Sequence, residues 1–373
     1  MKRSKYDWGI IAFIVGYHLA LLIGLPIYFM NHSPSVAICV TTGILVYVSG
    51  IAVTAGYHRH YSHSTYKTNR VVEAILLFFA TVATQGSALK WASDHRKHHA
   101  YVDTDRDPYS IKKGFFYAHV LWLFYKADPI DQKVVADLYK NPLVMFQHRY
   151  YALLMVITNV IVFVTFGYLF NDMLSSFVFI WGVRLFILHH FTWFINSLAH
   201  TWGAQPFSQE HSAVDCYAVS FFTFGEGYHN YHHTFANDYR NGIRWYHFDP
   251  TKWVIWLLAK CKLAHGLRRV SPERIQERMV IERKNELIEV VNNYISTNKA
   301  VFEEKIEKMT QDILNKFSDF YQLTQQYQAH KKEQQPNKDL LKGLNVQIKS
   351  VKKRLAQDWA DWKKLSKEIM RHC

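Results

Sequence analysis

Residues 36–63 read VAICVTTGILVYVSGIAVTAGYHRHYSH, an apolar run that ends in a cluster of histidines. As a helix, the apolar part would rise about 33 Å, which is enough to cross a bilayer core of about 30 Å. The histidines and the arginine at its end are groups that hydrocarbon accommodates only where they serve a site. The run therefore predicts a membrane span that presents a histidine site at one membrane face.

Three other runs have the length and apolar character of a span: residues 8–30, 151–170 and 174–198. Short polar turns divide the four runs into two pairs, which predicts two membrane hairpins. A fifth run, residues 71–89, is also long enough to cross. A crossing there would put the histidines before it and those after it on opposite faces, so we expect an interfacial or re-entrant helix instead.

The 373-residue chain carries a net charge of +14, with 44 Lys and Arg against 30 Asp and Glu. The basic residues flank the apolar runs and are absent from residues 31–35 and 170–173, which predicts that both termini and the central loop are cytoplasmic. The charge indicates an anionic partner such as lipid headgroups or a phosphate-bearing substrate, and no recognition motif indicates nucleic acid. We expect a multi-pass protein of a bacterial inner membrane or a eukaryotic endoplasmic reticulum.

The chain changes character near residue 270. Residues 1–270 hold every apolar run and predict an all-α integral membrane domain, with four transmembrane helices capped by a cytoplasmic helical domain. Residues 271–373 are rich in charged and amide side chains, and apolar residues such as Ile288 and Val291 recur at helical spacing. They predict a charged, coiled-coil-like amphipathic tail. It is either a solvated appendage that self-associates or packs on the catalytic part, or an element that binds a partner or a membrane surface.

Eight of the 21 histidines form three clusters beside the predicted spans. In the clusters HRKHH and HNYHH, residues i, i+3 and i+4 would share one helix face, so that i and i+4 could grip one metal while i+3 reaches another. Neutral imidazole suits iron, copper, nickel or zinc, and eight imidazoles exceed what one tetrahedral ion can use. The pattern predicts two metal ions. The clustered histidines are His58, His63, His95, His98, His99, His229, His232 and His233.

Acidic residues stand beside these clusters. A metal-bound histidine normally donates its second ring N–H to a carboxylate or carbonyl. Asp94, Asp107 and Glu226 are candidates for that role, and the alternative is that they are solvated loop acids.

The clusters HRHYSH, WASDHRKHH, NSLAH and GEGYHNYHHTFANDY resemble those of membrane acyl-CoA desaturases of the stearoyl-CoA, delta-9 type, and NPLVMFQHRYY is similar to a stretch of the same enzymes. The likeness runs from about residue 10 to about residue 270 and leaves the tail uncovered. It implies two iron ions (Fe2+/Fe3+), with His200 as a ninth histidine ligand and Asn196 reaching the metal through water. His60 stands where the family usually has an apolar residue, and we expect it to be a spectator.

The resemblance also implies contacts with the substrate. Trp91 matches an aromatic residue that lines an acyl tunnel near its bend, although interfacial placement is the alternative for it and for Trp193. A small residue such as Gly50 at the closed end of the tunnel would admit a longer chain. Lys126 would hold coenzyme A phosphates, or is a loop residue of the positive face. The substrate-binding candidates are Trp91, Gln85, Thr192, Trp193, Val46, Gly50 and Lys126.

The implied reaction is the O2-dependent insertion of a cis double bond, expected at the delta-9 position, into a saturated long-chain fatty acyl-CoA during unsaturated fatty acid biosynthesis. An unactivated methylene resists acid and base side chains, so the cofactor does the bond breaking while the protein supplies position and dryness. The tail has no haem-binding HPGG signature. Two electrons would therefore come from a separate carrier (cytochrome b5, ferredoxin or a rubredoxin-like protein) with its reductase.

Three other functions fit parts of the pattern. A membrane di-iron hydroxylase of fatty acyl chains or alkanes would use the same ligands. A histidine-rich membrane transporter or sensor for metals belongs to another class, and it predicts ligands inside the spans. A scaffold would place the main function in the tail.

Overall fold

The computed structural model describes residues 5–294 and 299–371. Two short strands, β1 (Lys67–Thr68) and β2 (Ala264–His265), pair in antiparallel fashion, and the remaining regular structure of the described residues is helical. The α-helices are α1 (Trp8–Asn31), α2 (Val36–Ala52), α3 (Arg70–Val82), α4 (Ala88–Tyr101), α5 (Phe115–His119), α6 (Pro142–Arg149), α7 (Tyr151–Leu169), α8 (Met173–Ser175), α9 (Arg184–Asn196), α10 (Tyr217–Phe222), α11 (His229–Thr234), α12 (Pro250–Lys260), α13 (Pro272–Tyr294), α14 (Lys299–Lys331) and α15 (Lys338–Ile369). Short 3-10 helices cover Ile111–Lys113, Leu121–Phe124, Leu138–Lys140 and Leu198–His200.

Four helical stretches are long and apolar enough to cross a membrane: Trp8–Asn31, Val36–Ser62, Tyr151–Leu169 and Met173–His200. The prediction of an all-α membrane protein with four spans in two hairpins is confirmed. Two of the spans contain π-helix. The segment Val53–Ser62 continues α2 into the first histidine cluster, and Ser176–Val183 joins α8 to α9.

Helix α3 follows the second span and is 13 residues long. Its length of about 20 Å is too short to cross the bilayer core. One face is buried, and the other exposes Val71 and Ile75. The chain then turns through Thr84 and Gly86, both at positive φ, before α4 begins. The expectation of a helix that does not cross is therefore confirmed, and the first two histidine clusters stay on one side.

Polar side chains set where these helices begin. Ser35, Asn69 and Ser87 cap α2, α3 and α4, each accepting a hydrogen bond from the backbone N–H three residues on. Asn141 and Asp249 cap α6 and α12, each of which has proline at its first position. Because Ser87 fixes the start of α4, the last two turns of that helix carry the second histidine cluster.

Contacts divide the chain into two compact units, Met1–Gln205 with Glu210–Arg269, and Pro206–Gln209 with Val270–Cys373. The largest core of the first unit joins the end of the second span, α4, α9 and the loop before α11, and it includes Tyr57, Leu89, Leu188 and Phe224. This core fixes the elements that carry histidine clusters against one another.

The second unit consists mainly of α13, α14 and α15, with Pro336 in the turn before the last helix. Val280, Phe317, Leu355 and Trp362 belong to its core and are almost fully buried. The amphipathic pattern of residues 271–373 is thus used within the unit, because the apolar faces of its helices cover one another.

Candidate metal centre

Nine histidines form two groups in the first unit, and the ligating nitrogens of each group all lie within 4.8 Å of one another. The division follows the helical spacing. Helix α4 contributes its i and i+4 histidines to the first group and its i+3 histidine to the second. Helix α11 contributes its i+3 histidine to the first group and its i and i+4 histidines to the second. The first group is His58, His63, His95, His99 and His232, and the second group is His98, His200, His229 and His233.

Four elements bring these side chains together. The π-helical end of the second span supplies the first cluster, α4 the second, the turn after α9 supplies His200, and α11 the third cluster. Helix α11 has only six residues, so its position depends on the loop before it. Gly227 lets that loop lie against α10, because a Cβ at this position would stand 2.2 Å from the backbone nitrogen of Ser220.

Hydrogen bonds determine which ring nitrogen of His58 carries the proton. His58 Nδ1 lies 2.9 Å from Glu226 Oε2, and a carboxylate accepts, so Nδ1 donates. The Nε2 atom then presents a lone pair, and it faces His232 Nε2 at 2.9 Å. His232 Nε2 also lies 2.9 Å from His99 Nε2. Ring nitrogens that face one another in this way point at a common centre.

The second group has the same arrangement. His98 Nδ1 donates to Asp107 Oδ1 at 2.9 Å, and its Nε2 faces His233 Nε2 at 3.3 Å. His200 Nδ1 lies 2.8 Å from Ser212 Oγ, which itself donates to Asp103 Oδ1. The hydroxyl oxygen therefore accepts from His200, whose buried Nε2 has no hydrogen-bond partner among the described residues.

These observations test whether the residues fit a metal. Adjacent ligands at right angles on bonds of about 2.1 Å would stand about 3.0 Å apart. The Nε2 atoms of His63 and His95 are 2.8 Å apart, and those of His229 and His233 are 3.1 Å apart. Lone pairs at such distances repel unless a cation lies between them, so each group fits one ion. Imidazole donors suit iron, copper, nickel or zinc.

The protonation of the centre suits metal binding as well. Burial, together with the charges of neighbouring histidines, lowers the pKa of six of these histidines well below the usual value. They are therefore neutral at physiological pH, which is the form that binds metal. The six are His63, His95, His99, His229, His232 and His233.

We expect the metal-free protein to lose stability as pH falls below about 6.5. Because the pKa of these six histidines is lowered only in the folded state, each takes up a proton on unfolding once the pH is below its ordinary value. The contribution of these histidines to the free energy of unfolding is complete above their ordinary pKa. It is lost as the pH falls toward their pKa in the folded state. Thermal unfolding of the chelated protein should show a midpoint that drops steeply between about pH 7.5 and pH 5.5.

Bound metal supplies the control for this experiment. Protons must compete with the ion before they reach the ring nitrogens, so the metal-loaded protein should hold its midpoint to lower pH. A midpoint of the chelated protein that stays flat over this range would contradict the argument.

Behind the first group lies a buried ion network centred on Arg59. Its guanidinium bonds to Glu226 at 2.8 Å, to Asp249 at 2.9 Å and to the carbonyl of Tyr239 at 2.8 Å. Burial raises the pKa of Glu226, but the contacts with Arg59 and His58 outweigh it and lower the pKa to about 2. The carboxylate thus stays charged at neutral pH, and its stabilising effect is lost only as pH falls from about 4.5 to about 2.

The three remaining residues considered for the metal site have different surroundings in the structure. Asp94 pairs with Lys90 instead of a clustered histidine, since it immediately precedes His95 and points to another side of α4. Asn196 is the last residue of α9, one turn before His200, and it is half-buried. His60 lies outside both groups, and its Nδ1 is 3.1 Å from the carbonyl of Tyr66.

One predicted substrate residue contacts the first group, and two others contact each other. The Trp91 ring stacks on His95, with centroids 4.8 Å apart, and also contacts Tyr57. Gln85 Nε2 donates to Thr192 Oγ1 at 2.8 Å, so two predicted tunnel residues from different elements are partners. The aromatic ring of Trp91 therefore lies directly against the first histidine group.

Other substrate candidates are placed away from the centre or in tight packing. Trp193 stacks on His189 and belongs to a small cluster with α1. Gly50 packs closely against the Phe224 ring, since a Cβ at this position would lie 2.3 Å from that ring. Val46 is buried in the same core. Lys126 is exposed, as either of its interpretations allows.

Sequence reasoning missed Arg59, Asp249 and Ser212, which links Asp103 to His200. An arginine inside a histidine cluster at the end of a span was a usable signal, since a buried guanidinium requires acidic partners. Asp249 and Ser212 carry no local signal, because they come from distant loops.

The fold and the two histidine groups define a multi-pass membrane protein with a polyhistidine centre that could hold metal. A sequence model of the fatty acid desaturase family matches residues 31–267. The chain belongs to this family.

Individual relatives agree with that assignment. A protein named probable acyl-CoA desaturase from Schizosaccharomyces pombe is 40% identical over 280 residues, which is 72% of this chain and 58% of that protein. Acyl-CoA desaturase 1 from Saccharomyces cerevisiae is 39% identical over 243 residues, 64% of this chain and 48% of that protein. The chain thus spans about half the length of these two relatives. It matches 79% of the acyl-CoA Delta-9 desaturase from Acheta domesticus, at 34% identity over 74% of its own length.

Proposed function

We propose that this chain is a di-iron fatty acyl-CoA desaturase, which inserts a cis double bond at the delta-9 position of a saturated long-chain acyl group. The observation that carries the proposal is the pair of histidine groups built jointly by α4 and α11. The names of the relatives support the substrate class, since they are acyl-CoA desaturases. The ligands proposed are the nine histidines, with Asn196 acting through water.

When bound, the two irons supply the oxidising chemistry that cleavage of an unactivated C–H bond requires, with O2 as oxidant and two electrons from a separate carrier and its reductase. The residues of the chain position and shield that chemistry. Glu226 and Asp107 hold the rings of His58 and His98 in one tautomer, so that their Nε2 lone pairs stay aimed at the centre. The Trp91 ring covers His95 and excludes water from that side.

Substrate recognition is proposed for Trp91, Gln85 and Thr192. The Gln85–Thr192 pair offers polar groups beside an otherwise apolar core, and Trp91 offers a flat apolar surface for methylenes. An acyl chain held against a rigid wall reacts only at the carbons next to the metals, which would give one position and one geometry of the double bond. Lys126 stays a candidate for the phosphates of coenzyme A.

Orientation and membrane are proposed from charge. The turns after α1 and α7 lack Lys and Arg, whereas the segments that carry the histidine clusters and the tail are basic. Both termini are therefore assigned to the cytoplasm, at the inner membrane of a bacterium or the endoplasmic reticulum of a eukaryote. A metal transporter is less well supported, because the histidine groups stand at the ends of the spans.

The direct test is expression of the full chain in a host that lacks its own desaturase. Mass spectrometry of the host fatty acids should then locate a new cis double bond at carbon 9. If the host instead contained hydroxy acids and no new alkene, the enzyme would be a hydroxylase. If a folded, iron-loaded protein left the fatty acids unchanged, both desaturation and hydroxylation would be rejected.

Replacing Asp107 by asparagine should lower metal affinity or turnover about 10- to 100-fold. The amide keeps an acceptor oxygen for the backbone N–H of Tyr109, and its NH2 group takes the place of the oxygen that accepts from the backbone N–H of Asp103, so one of the two loop contacts is kept. It cannot provide the negative charge that fixes the His98 tautomer. The measurement is iron content and desaturation of the purified variant.

Asp105→Asn is the matched control, because it makes the same change at an exposed acid of the same loop. It should behave as the wild type. Equal effects of the two substitutions would remove the specific role of Asp107.

A further inference from the structure

Helix α15 separates its charges by sign. It spans 32 residues, or about 48 Å, and contains eight lysines and four acids. At 100° per residue, all eight lysines fall within about 120° of the helix circumference and every acid falls outside that arc. We call this arc the lysine stripe: Lys338, Lys342, Lys349, Lys352, Lys353, Lys363, Lys364 and Lys367.

The lysine stripe faces away from the core of its unit. The buried residues of α15, such as Leu344, Val351 and Leu355, lie on the opposite side, and every lysine of the stripe is exposed. A face that is merely solvated mixes both signs. On the neighbouring helix α14, Asp312 and Asp319 indeed share the arc of Lys305 and Lys308.

Most of this charge is uncompensated. Lys352 pairs with Glu273 at 2.6 Å, and Lys364 contacts Asp361 at 3.5 Å. Six lysines of the stripe form no ion pair with any residue in the described ranges, and one of the six, Lys363, lies over the Trp359 ring at 5.0 Å from its centroid. The other five, which we call the unpaired lysines, are Lys338, Lys342, Lys349, Lys353 and Lys367. Five cations held in a row without counter-charges repel one another, and an anionic surface would relieve that repulsion.

We propose that the lysine stripe binds the anionic headgroups of a lipid bilayer surface. An anionic leaflet attracts clustered lysines that lie near its surface. The four membrane spans of the chain tether the unit that carries the stripe to a bilayer. The apolar face of α15 is already used in the core, so the binding is electrostatic and peripheral.

The composition of the lysine stripe argues against a protein partner. Protein interfaces are depleted in lysine and enriched in arginine and aromatic side chains. The arc contains no arginine, and small residues such as Ala356 and Ala360 lie between its lysines. Lysine is a point charge on a flexible stem, which suits mobile phosphates better than a fixed set of acceptors.

The test uses the full chain in nanodiscs of neutral phosphatidylcholine and measures cosedimentation with added vesicles. Wild-type protein should bind vesicles that contain phosphatidylglycerol and should not bind vesicles of phosphatidylcholine alone. Binding should disappear when salt is raised from about 0.1 M to about 1 M. Changing the five unpaired lysines to glutamine should weaken binding about 100-fold or more. When the nanodisc itself contains phosphatidylglycerol, the lysine stripe should bind the nanodisc surface, and the protein should then bind fewer of the added vesicles.

A matched control removes the same charge elsewhere in the unit. The changes Lys299→Gln, Lys308→Gln, Lys331→Gln, Lys332→Gln and Arg354→Gln affect exposed cations outside the stripe. This variant should bind vesicles within about twofold of the wild type, because screening makes the attraction local. Equal loss in both variants would overturn the proposal. The proposal would also be overturned if the wild-type protein bound poly-L-glutamate but did not bind the anionic vesicles. The partner of the stripe would then be an acidic protein.

Discussion

Replacing His98 by alanine is expected to remove one of the two proposed irons and to lower turnover at least about 100-fold, since loss of an outer partner alone costs 10- to 100-fold. His98 belongs to the group of four histidines, which would be left with three ligands. The group of five keeps all of its members. Iron per chain should therefore fall from two toward one, as measured by mass spectrometry of the purified protein, while the elution volume of the folded protein is unchanged.

His60→Ala is the matched control for this experiment. His60 lies in the first histidine cluster, yet its ring contacts the Tyr66 carbonyl and stands outside both groups. Iron content and turnover should stay near the wild-type values. Normal turnover of His98→Ala, or an equal loss of iron from His60→Ala, would contradict the assignment of ligands.

The largest expected effect on stability follows from replacing Arg59 by methionine. The side chain is 1% exposed and is the cation between the carboxylates of Glu226 and Asp249. Removing one partner of a buried ion network costs about 3–5 kcal/mol, because the remaining charges stay buried without compensation. The variant should unfold at a clearly lower temperature. It should also lose metal more readily, since Glu226 orients His58.

The control is Arg70→Met, which removes the same charge at an exposed position. Arg70 is 61% exposed at the side chain, and its ion pair with Glu73 is long, at 3.9 Å. Such a surface pair contributes about 0–1 kcal/mol. A melting temperature of Arg59→Met that equals that of Arg70→Met would show that the buried network does not stabilise the fold.

Much of the fold could be predicted because hydropathy is a local property. A helix surrounded by lipid must be apolar along its whole length, so each span is visible in its own residues. The histidine clusters of α4 and α11 were predictable for a similar reason, since the spacing i, i+3, i+4 fixes one helix face. Even the division of each cluster between the two histidine groups follows from that spacing.

Local reasoning is incomplete where packing decides. No local pattern predicts that the ring of Phe224 packs against Gly50. Asp94 stands next to a clustered histidine in the sequence, but one step along a helix rotates a side chain by about 100°, and Asp94 meets Lys90 instead. Asp103 reaches His200 only through Ser212, a link that no spacing rule contains.

The sequence by itself determined the four spans, the helical tail and the faces on which the clustered histidines stand, because these depend on composition and on the period of one helix. Only the tertiary structure decided which distant histidines share a group, which carboxylates hold them and how Arg59 is compensated. Arg59 and Glu226 are 167 positions apart, and a contact over that separation depends on the packing of the whole unit. The row of lysines on α15 lies between these cases, since the helix repeat aligns them and the burial of the opposite face turns them outward.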